Sequence, residues 1–419
     1  MTHLKILHII TRLTTGGSSE AVLDLCHRLN PARYTTILLY GSKNTGIFRQ
    51  EEYDISFVKN QHRIKYLVRN ISPVKDAIAF FVILKWIIKE KPDIVHTHTS
   101  KAGILGRWAA FIARSLRFVR RDMKIIHTPH GHIFYGYYPT LWTRFFILAE
   151  KLTSHLTDCF VALTEGEKNE TIKIAGISSP DIRWEIIPSG ISISPESGIN
   201  TAPPTKSAVL KEFGIPSDSI IVGTVARLEP VKGVYYFVKS AALVLEKISY
   251  GFPHLRNKIY FLIVGDGSLR EELEKIAAST STPTGTREEE HTHRIIFTGM
   301  RDDVRRLISA MDIYVQPSLN EGMGKTIAEA MSLAKPVVAT NVQGIPDLVK
   351  DGITGILVPP SDEKAISEAV AELISALDTA GTLGENARRF VTEKIDGYPR
   401  FSVERMIHLH EKLYDEITS

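Results

Sequence analysis

Short apolar runs alternate with amphipathic stretches along the whole chain. In the first half the runs are KILHII (5–10), TTILLY (35–40), ISFV (55–58), DIVHTH (93–98), KIIHT (124–128), CFVALT (159–164) and EIIPSG (185–190). They are rich in β-branched residues and mostly apolar throughout, the pattern of strands buried on both faces of a parallel sheet. Helical patterns lie between them. Ala21, Val22, Leu25, Cys26 and Leu29 repeat at helical spacing, with Asp24, His27 and Arg28 on the other side. Ile104, Leu105, Trp108, Phe111 and Ile112 repeat the pattern, which assigns Arg107 and Arg114 to the outer side.

The second half begins the series again with IIVGTVA (220–226), IYFLIVG (259–265), IIFTG (295–299), DIYVQPS (312–318), PVVAT (336–340) and GILV (355–358). Val234, Phe237, Val238, Ala241, Leu245 and Ile248 form a helical face after the first of these. Two successive β/α series predict an α/β protein of two doubly wound domains. The boundary falls in the Ser-, Pro- and Gly-rich stretch 191–206, giving domains 1–195 and 205–399. The polar stretch 279–293 reads as a surface loop or insertion, and 401–417 as an amphipathic helix.

Composition narrows the class. The chain has 419 residues, 43% of them hydrophobic and 23% charged. That is enough for a sizeable core and excludes disorder over most of the length. Cys26 and Cys159 are the two cysteines, so neither a disulfide framework nor a four-thiolate metal site is available. Both read as buried thiols suited to a reducing compartment. The start is too short and too soon interrupted for a secretion signal, and no apolar run is long enough to span a membrane. The longest stretch without Lys, Arg, Asp or Glu is Ile125–Thr143, whose histidines, prolines and glycines mark a functional loop. A cytoplasmic protein is expected, peripheral at the inner face of the plasma membrane.

The net charge of +4 is mild, but its distribution is uneven. Residues 61–124 hold 14 basic and 4 acidic side chains, a local +10 against −6 for the remainder. Such a segment is a solvated face or a surface that meets an anionic membrane. No nucleic-acid partner is expected.

In doubly wound sheets ligands bind beyond the carboxyl ends of the strands, so the residues just after each run are the candidates. Gly16 and Gly17 follow the first run and open a helix, where free N–H groups favour an anion. His127, His130 and His132 follow the fifth. Their spacing invites a metal, but no neighbouring carboxylate or thiolate completes a site, and none is assigned. His130, beside Gly131, reads as a polar contact to a ligand, whereas His96 and His98 read as buried strand-end residues. Arg227 and Lys232 follow IIVGTVA near a helix start, and two cations there suit a diphosphate. The block Glu321-Gly322-Met323-Gly324-Lys325-Thr-Ile-Ala-Glu329 follows DIYVQPS. Glu321 lies in the loop, and Glu329 lies inside the next helix among apolar neighbours, where it needs hydrogen-bond donors.

Together these residues resemble the retaining nucleotide-sugar glycosyltransferases of family 4, which have the GT-B fold of two Rossmann-like domains facing across a cleft. The resemblance spans nearly the whole chain. It rests on the Glu-x7-Glu block and its continuation to residue 360, on HTHTSKAGILGRWAA (96–110), HTPHGH (127–132), IIPSGI (186–191) and the Arg227/Lys232 pair. HTHTSKAG and HTPHGH most resemble members that build capsule, exopolysaccharide or lipopolysaccharide units on a lipid carrier. The resemblance implies these roles. Arg227 and Lys232 hold the donor diphosphate, Glu329 accepts from the ribose hydroxyls, and Glu321 contacts the transferred sugar with help from N–H groups at Gly322, Met323, Gly324 and Lys325. His130 contacts the sugar from the first domain, Gly16 and Gly17 line the diphosphate and acceptor side, and the helix at 400–419 returns to the first domain. Three positions depart from the family pattern: Met323, Lys325, and Ser189, which receives no ligand role.

The implied reaction moves a hexose or N-acetylhexosamine, UDP-linked by resemblance, to a glycan or lipid-linked acceptor without a metal cofactor. A nucleotide-sugar epimerase of the same fold and a catalytically silent sugar-nucleotide-binding subunit are the alternatives. A glycoside hydrolase would need two carboxylates flanking one bond, which Glu321 and Glu329 do not resemble.

Overall fold

The computed structural model describes residues 3–14, 16–42, 55–131, 140–177, 182–193, 206–279 and 294–419. Contacts divide the chain into two units, one ending at Gly190 and regained from Val403, the other running from Ile191 to Ser402. The stretches 194–205 and 280–293, within the expected linker and polar insertion, lie outside the described residues.

In the first unit the strands are β1 (Leu4–Ile10), β2 (Tyr34–Gly41), β3 (Gln61–Ile64), β4 (Ile94–His98), β5 (Lys124–Thr128), β6 (Cys159–Ala162) and β7 (Arg183–Ile186). They form one parallel sheet in the order β3-β2-β1-β4-β5-β6-β7. The helices are α1 (Gly17–Arg28), α2 (Pro73–Glu90), α3 (Ser100–Ser115), α4 (Thr140–Ser154) and α5 (Glu165–Ala175). The run ISFV is not a strand: residues 55–58 form a turn that buries Val58, and the edge strand is Gln-His-Arg-Ile at 61–64. An edge strand pairs on one side only, so this one keeps polar residues and lacks the apolar signature of its neighbours.

Helix α3 corrects a second expectation. Its buried face is Ala102, Gly103, Gly106, Arg107, Ala109, Ala110 and Ala113, while Trp108 is 39% exposed. Small residues let the helix lie close to the sheet. A Cβ on Gly103 would sit 2.4 Å from His127 Cε1. The price of that approach is a buried guanidinium: Arg107 is fully buried and donates from Nη2 to both Glu150 oxygens at 2.8 Å, with its Nε bonded to Gly103 O at 2.9 Å. An unpaired charge at this depth would be strongly unfavourable, so Glu150 on α4 is what permits it.

The C-terminal helix Val403–Thr418 belongs to this unit. Met406, Ile407, Leu413 and Tyr414 pack with Leu4, Ile6, Leu25 and Ile126. Tyr414 also satisfies His96 through a 2.8 Å contact to Nδ1.

In the second unit β8 (Ile220–Val225), β9 (Ile259–Val264), β10 (Ile295–Gly299), β11 (Ile313–Gln316), β12 (Val337–Thr340) and β13 (Ile356–Val358) form a parallel sheet in the order β10-β9-β8-β11-β12-β13. Its helices include α6 (Lys206–Glu212), α7 (Val234–Gly251), α8 (Arg270–Ser279), α9 (Val304–Ala310) and α10 (Lys325–Ser332). Phe237, Val238 and Ala241 of α7 pack on Val222, Phe261 and Val315 of the sheet. Among the described residues no helix is long and apolar enough to cross a membrane.

Candidate functional site

In the second sheet the strand order reverses between β8 and β11, which are neighbours in space. A crevice opens outside the carboxyl ends at such a switch point. Arg227 and Lys232 follow β8, and Glu321 follows β11. The structure joins two of them: Lys232 Nζ lies 2.5 Å from Glu321 Oε2, with both side chains largely buried. Ser318 Oγ donates to the same oxygen at 3.2 Å, and Glu321 N donates to Gln343 Oε1 at 3.0 Å. The carboxylate is thus held by Lys232 and Ser318, and the backbone of Glu321 by Gln343.

Gly233 makes that approach possible. Its φ is +64°, and a Cβ there would fall 1.9 Å from Pro317 O. Glycine at this position lets the Pro230–Lys232 turn touch the β11 loop, which Leu319 N then ties to Val231 O at 2.8 Å. Arg227 is half-buried in the same loop and, among the described residues, has no ion-pair partner. Its backbone neighbours are fixed: Leu228 N bonds Asp266 O and Ala226 N bonds Val264 O.

Behind Glu321 runs a buried polar chain that sequence reading missed. The Tyr314 hydroxyl lies 2.7 Å from Gln316 Oε1 and 2.8 Å from Thr326 Oγ1, and Gln316 Nε2 donates to Ser318 Oγ at 2.8 Å. Gln and Ser at the end of an apolar strand, in DIYVQPS, were the available signal. Glu329 lies within α10 as expected. Its charge partly offsets the burial that lowers the pKa of Arg305, so a structural arginine is near it. Gly324 caps α10 and Lys325 begins it, while Met323 packs inward at 2% exposure.

In the first unit the order reverses between β1 and β4. Gly16 caps α1 after β1, and Gly17 is its first residue. Two non-glycine residues at strand ends take left-handed backbone: Thr99 after β4 at φ +65° and His130 after β5 at φ +57°. Such conformations are unfavourable for a β-branched residue and cluster at functional sites. His96 and His98 are buried, as expected. His127 bonds Thr97 Oγ1 at 2.9 Å, and His132 lies outside the described residues. Among the described residues the nearest approach to a metal-ligand set is instead His8, His96 and His98, whose ligand atoms lie within 4.8 Å of one another. Both nitrogens of His96 are engaged, by Tyr414 and Thr128, and both of His98 by His8 and His130. Of the six nitrogens only His8 Nε2 has no hydrogen-bond partner among the described residues, so the set offers an ion at most one nitrogen.

Residues 15–194 match the profile described as Glycosyltransferase Family 4, and residues 219–376 match that described as Glycosyl transferases group 1. The Escherichia coli UDP-Gal:alpha-D-GlcNAc-diphosphoundecaprenol alpha-1,3-galactosyltransferase is 31% identical over 309 residues, 73% of each chain. The Staphylococcus aureus capsular polysaccharide biosynthesis glycosyltransferase CapM is 25% identical over 338 residues, 78% of this chain and 81% of its own. Among solved structures, Anabaena Alr3699/HepE in complex with UDP and glucose superposes with a TM-score of 0.75 at 19% identity, over 99% of this chain and 100% of that one. WaaG, a glycosyltransferase involved in lipopolysaccharide biosynthesis, gives 0.69 at 16% identity over 99% and 100%. Both profiles, the galactosyltransferase relative and the paired Rossmann-like sheets agree, and the chain belongs to the family 4 glycosyltransferases of GT-B fold.

Proposed function

We propose that this enzyme transfers a hexose or N-acetylhexosamine from a UDP-linked donor to a hydroxyl of a lipid-linked or glycan acceptor in cell-surface polysaccharide synthesis, with retention at the anomeric carbon. The observation that carries the reading is the Lys232–Glu321 pair at the β8/β11 switch point, with Arg227, which has no ion-pair partner among the described residues, on the same loop after β8. Lys232 is neutralised by Glu321, so Arg227 supplies the net positive charge that meets an arriving diphosphate. As the bond to the anomeric carbon breaks, negative charge grows on the leaving phosphate. The two cations and the N-terminus of α10 stabilise it, so the chemistry calls for no metal. Glu321, held by Lys232 and Ser318, accepts from hydroxyls of the transferred sugar. Glu329 accepts from the ribose, His130 contacts the sugar, and Gly16 and Gly17 line the diphosphate and acceptor side. The acceptor hydroxyl attacks from the face the diphosphate leaves and passes its proton to the departing phosphate oxygen, which gives retention.

The acceptor class has separate support. Helix α4 exposes Leu141, Trp142, Phe145, Leu148 and Leu152, the first at 79%. These are apolar residues at helical spacing turned outward, a pattern that suits the interfacial region of a bilayer. The Trp108 indole, also exposed, bonds Thr153 of α4 at 3.1 Å. The basic segment contributes less than its count implied. Arg107 is buried against Glu150, Arg114 pairs with Asp158, and Lys101 with Asp76, but Lys65, Lys75, Lys85, Arg117 and Arg121 face solvent. We infer that the first unit meets an anionic membrane.

The test is nucleoside-diphosphate release across a panel of nucleotide sugars, with and without membrane extract as acceptor source. Release that depends on both one donor and the extract is expected. Interconversion of donor sugars without an acceptor would favour the epimerase, and tight donor binding without turnover would favour the silent subunit.

A further inference from the structure

Three histidines from three different parts of the first sheet form one chain. His8 Nδ1 on β1 lies 3.1 Å from His98 Nε2 on β4, and His98 Nδ1 lies 3.1 Å from His130 Nε2 after β5. The two terminal nitrogens, His8 Nε2 and His130 Nδ1, are buried and have no hydrogen-bond partner among the described residues.

Proton counting constrains this chain. Three neutral imidazoles carry three ring protons, one each. Each inter-ring hydrogen bond uses one, so one proton is left for two terminal nitrogens. Either it sits on His8 Nε2 and all bonds point from His130 toward His8, or it sits on His130 Nδ1 and all bonds point the other way. A mixed arrangement would set two lone pairs or two N–H groups against each other. His8 is fully buried at the centre of the sheet, whereas His130 is only partly buried. Orphaned buried N–H groups are rarer than under-satisfied acceptors. The proton therefore belongs at His130, the less buried end of the chain, and the bare lone pair belongs at His8.

We infer that His8 and His98 are positioning residues that hold His130 in its Nδ1–H tautomer, so that His130 presents a hydrogen-bond donor to a hydroxyl oxygen of the donor sugar. The neutral state needed for the count is supported by burial, which lowers His8 and His130 to about 3 and His98 well below the usual range. The His98 ring packs against His96, tilted by 34° with ring centroids 4.1 Å apart, and His96 is itself tied to Tyr414 and Thr128. His130 makes its contact to His98 with a positive φ. The catalytic consequence rests on the reading of His130 as a sugar contact. The tautomer does not.

Histidine-selective 15N–1H correlation spectra of the full chain read the tautomer directly. Nδ1–H is expected for His8, His98 and His130 in the donor-free protein. His98→Leu removes the donor to His130 Nε2, so His130 shifts toward Nε2–H, and kcat falls about tenfold, the scale of a lost supporting contact. KM for the nucleotide sugar stays nearly constant. His98→Asn, whose amide N–H lies near the lost Nδ1–H, restores both the His130 tautomer and kcat. An Nε2–H His130 in the wild-type spectrum overturns the inference, and so does an unchanged His130 in His98→Leu. The wild-type spectrum decides even if the variants fail to fold. Should His130→Phe transfer sugar at the wild-type rate, the sugar-contact reading fails while the tautomer assignment stands.

Discussion

At the scale of single residues, the site separates holding from reacting. Arg227 is a half-buried cation without an ion-pair partner among the described residues, so its charge is available to a ligand. A hydrogen bond to a charged group contributes about 1.5–3 kcal/mol, or roughly 10- to 150-fold in affinity. Arg227→Ala is expected to raise the donor dissociation constant by about that factor, measured by calorimetric titration, with little effect on thermal stability. Equal donor affinity in the variant would remove Arg227 from the diphosphate site. These residues were legible in sequence because each interrupts an apolar run at its end: Arg227 after IIVGTVA, Glu321 after DIYVQPS. Their pairing was not legible. Lys232 and Glu321 are 89 positions apart, and their contact depends on β8 lying beside β11 and on a glycine that admits Pro317 O. The His8–His98–His130 chain was hidden for the same reason, since it spans β1, β4 and the end of β5.

At the scale of elements, most strands were visible and the helix faces were less so. Strands buried on both faces need no alternation, and the apolar runs matched them within two residues at most ends. The edge strand 61–64 escaped because it need not be apolar. Helix α3 was read only in part: Leu105 and Phe111 pack against the core as expected, but the fully buried face is mostly alanines and glycines, which lie nearer the sheet than Trp108 can. Arg107 shares the buried face, and its burial depends on Glu150 of α4. Breaking such a pair costs about 3–5 kcal/mol, while replacing both ions with apolar groups of similar volume is often neutral or stabilising. Glu150→Leu alone should therefore lower the urea midpoint sharply, and Arg107→Met with Glu150→Leu should recover most of the loss. A double variant as unstable as the single one would contradict this account of α3.

At the scale of the whole molecule, the two sheets present different chemistry at their switch points. The second gathers fixed charge around Glu321. The first gathers neutral imidazoles and strained backbone, and its unit carries the outward apolar ridge of α4. The +10 segment read from the sequence proves partly structural once Arg107, Arg114 and Lys101 are paired, so the proposed membrane attachment calls on apolar contact as well. Trp142→Glu with Phe145→Glu is expected to abolish co-sedimentation with anionic liposomes. The wild type should bind less in high salt without release being complete, because screening acts on the charges and not on the ridge. Full release by salt, with the ridge variant binding normally, would return attachment to the basic face alone. Whether sugar transfer depends on the β8/β11 site is read from turnover of the preferred nucleotide sugar by wild type and Glu321→Ala. The wild type should transfer sugar, and Glu321→Ala should keep donor binding with transfer reduced by at least about a hundredfold, as for loss of a group that stabilises the transition state. Transfer by Glu321→Ala at the wild-type rate would contradict that dependence.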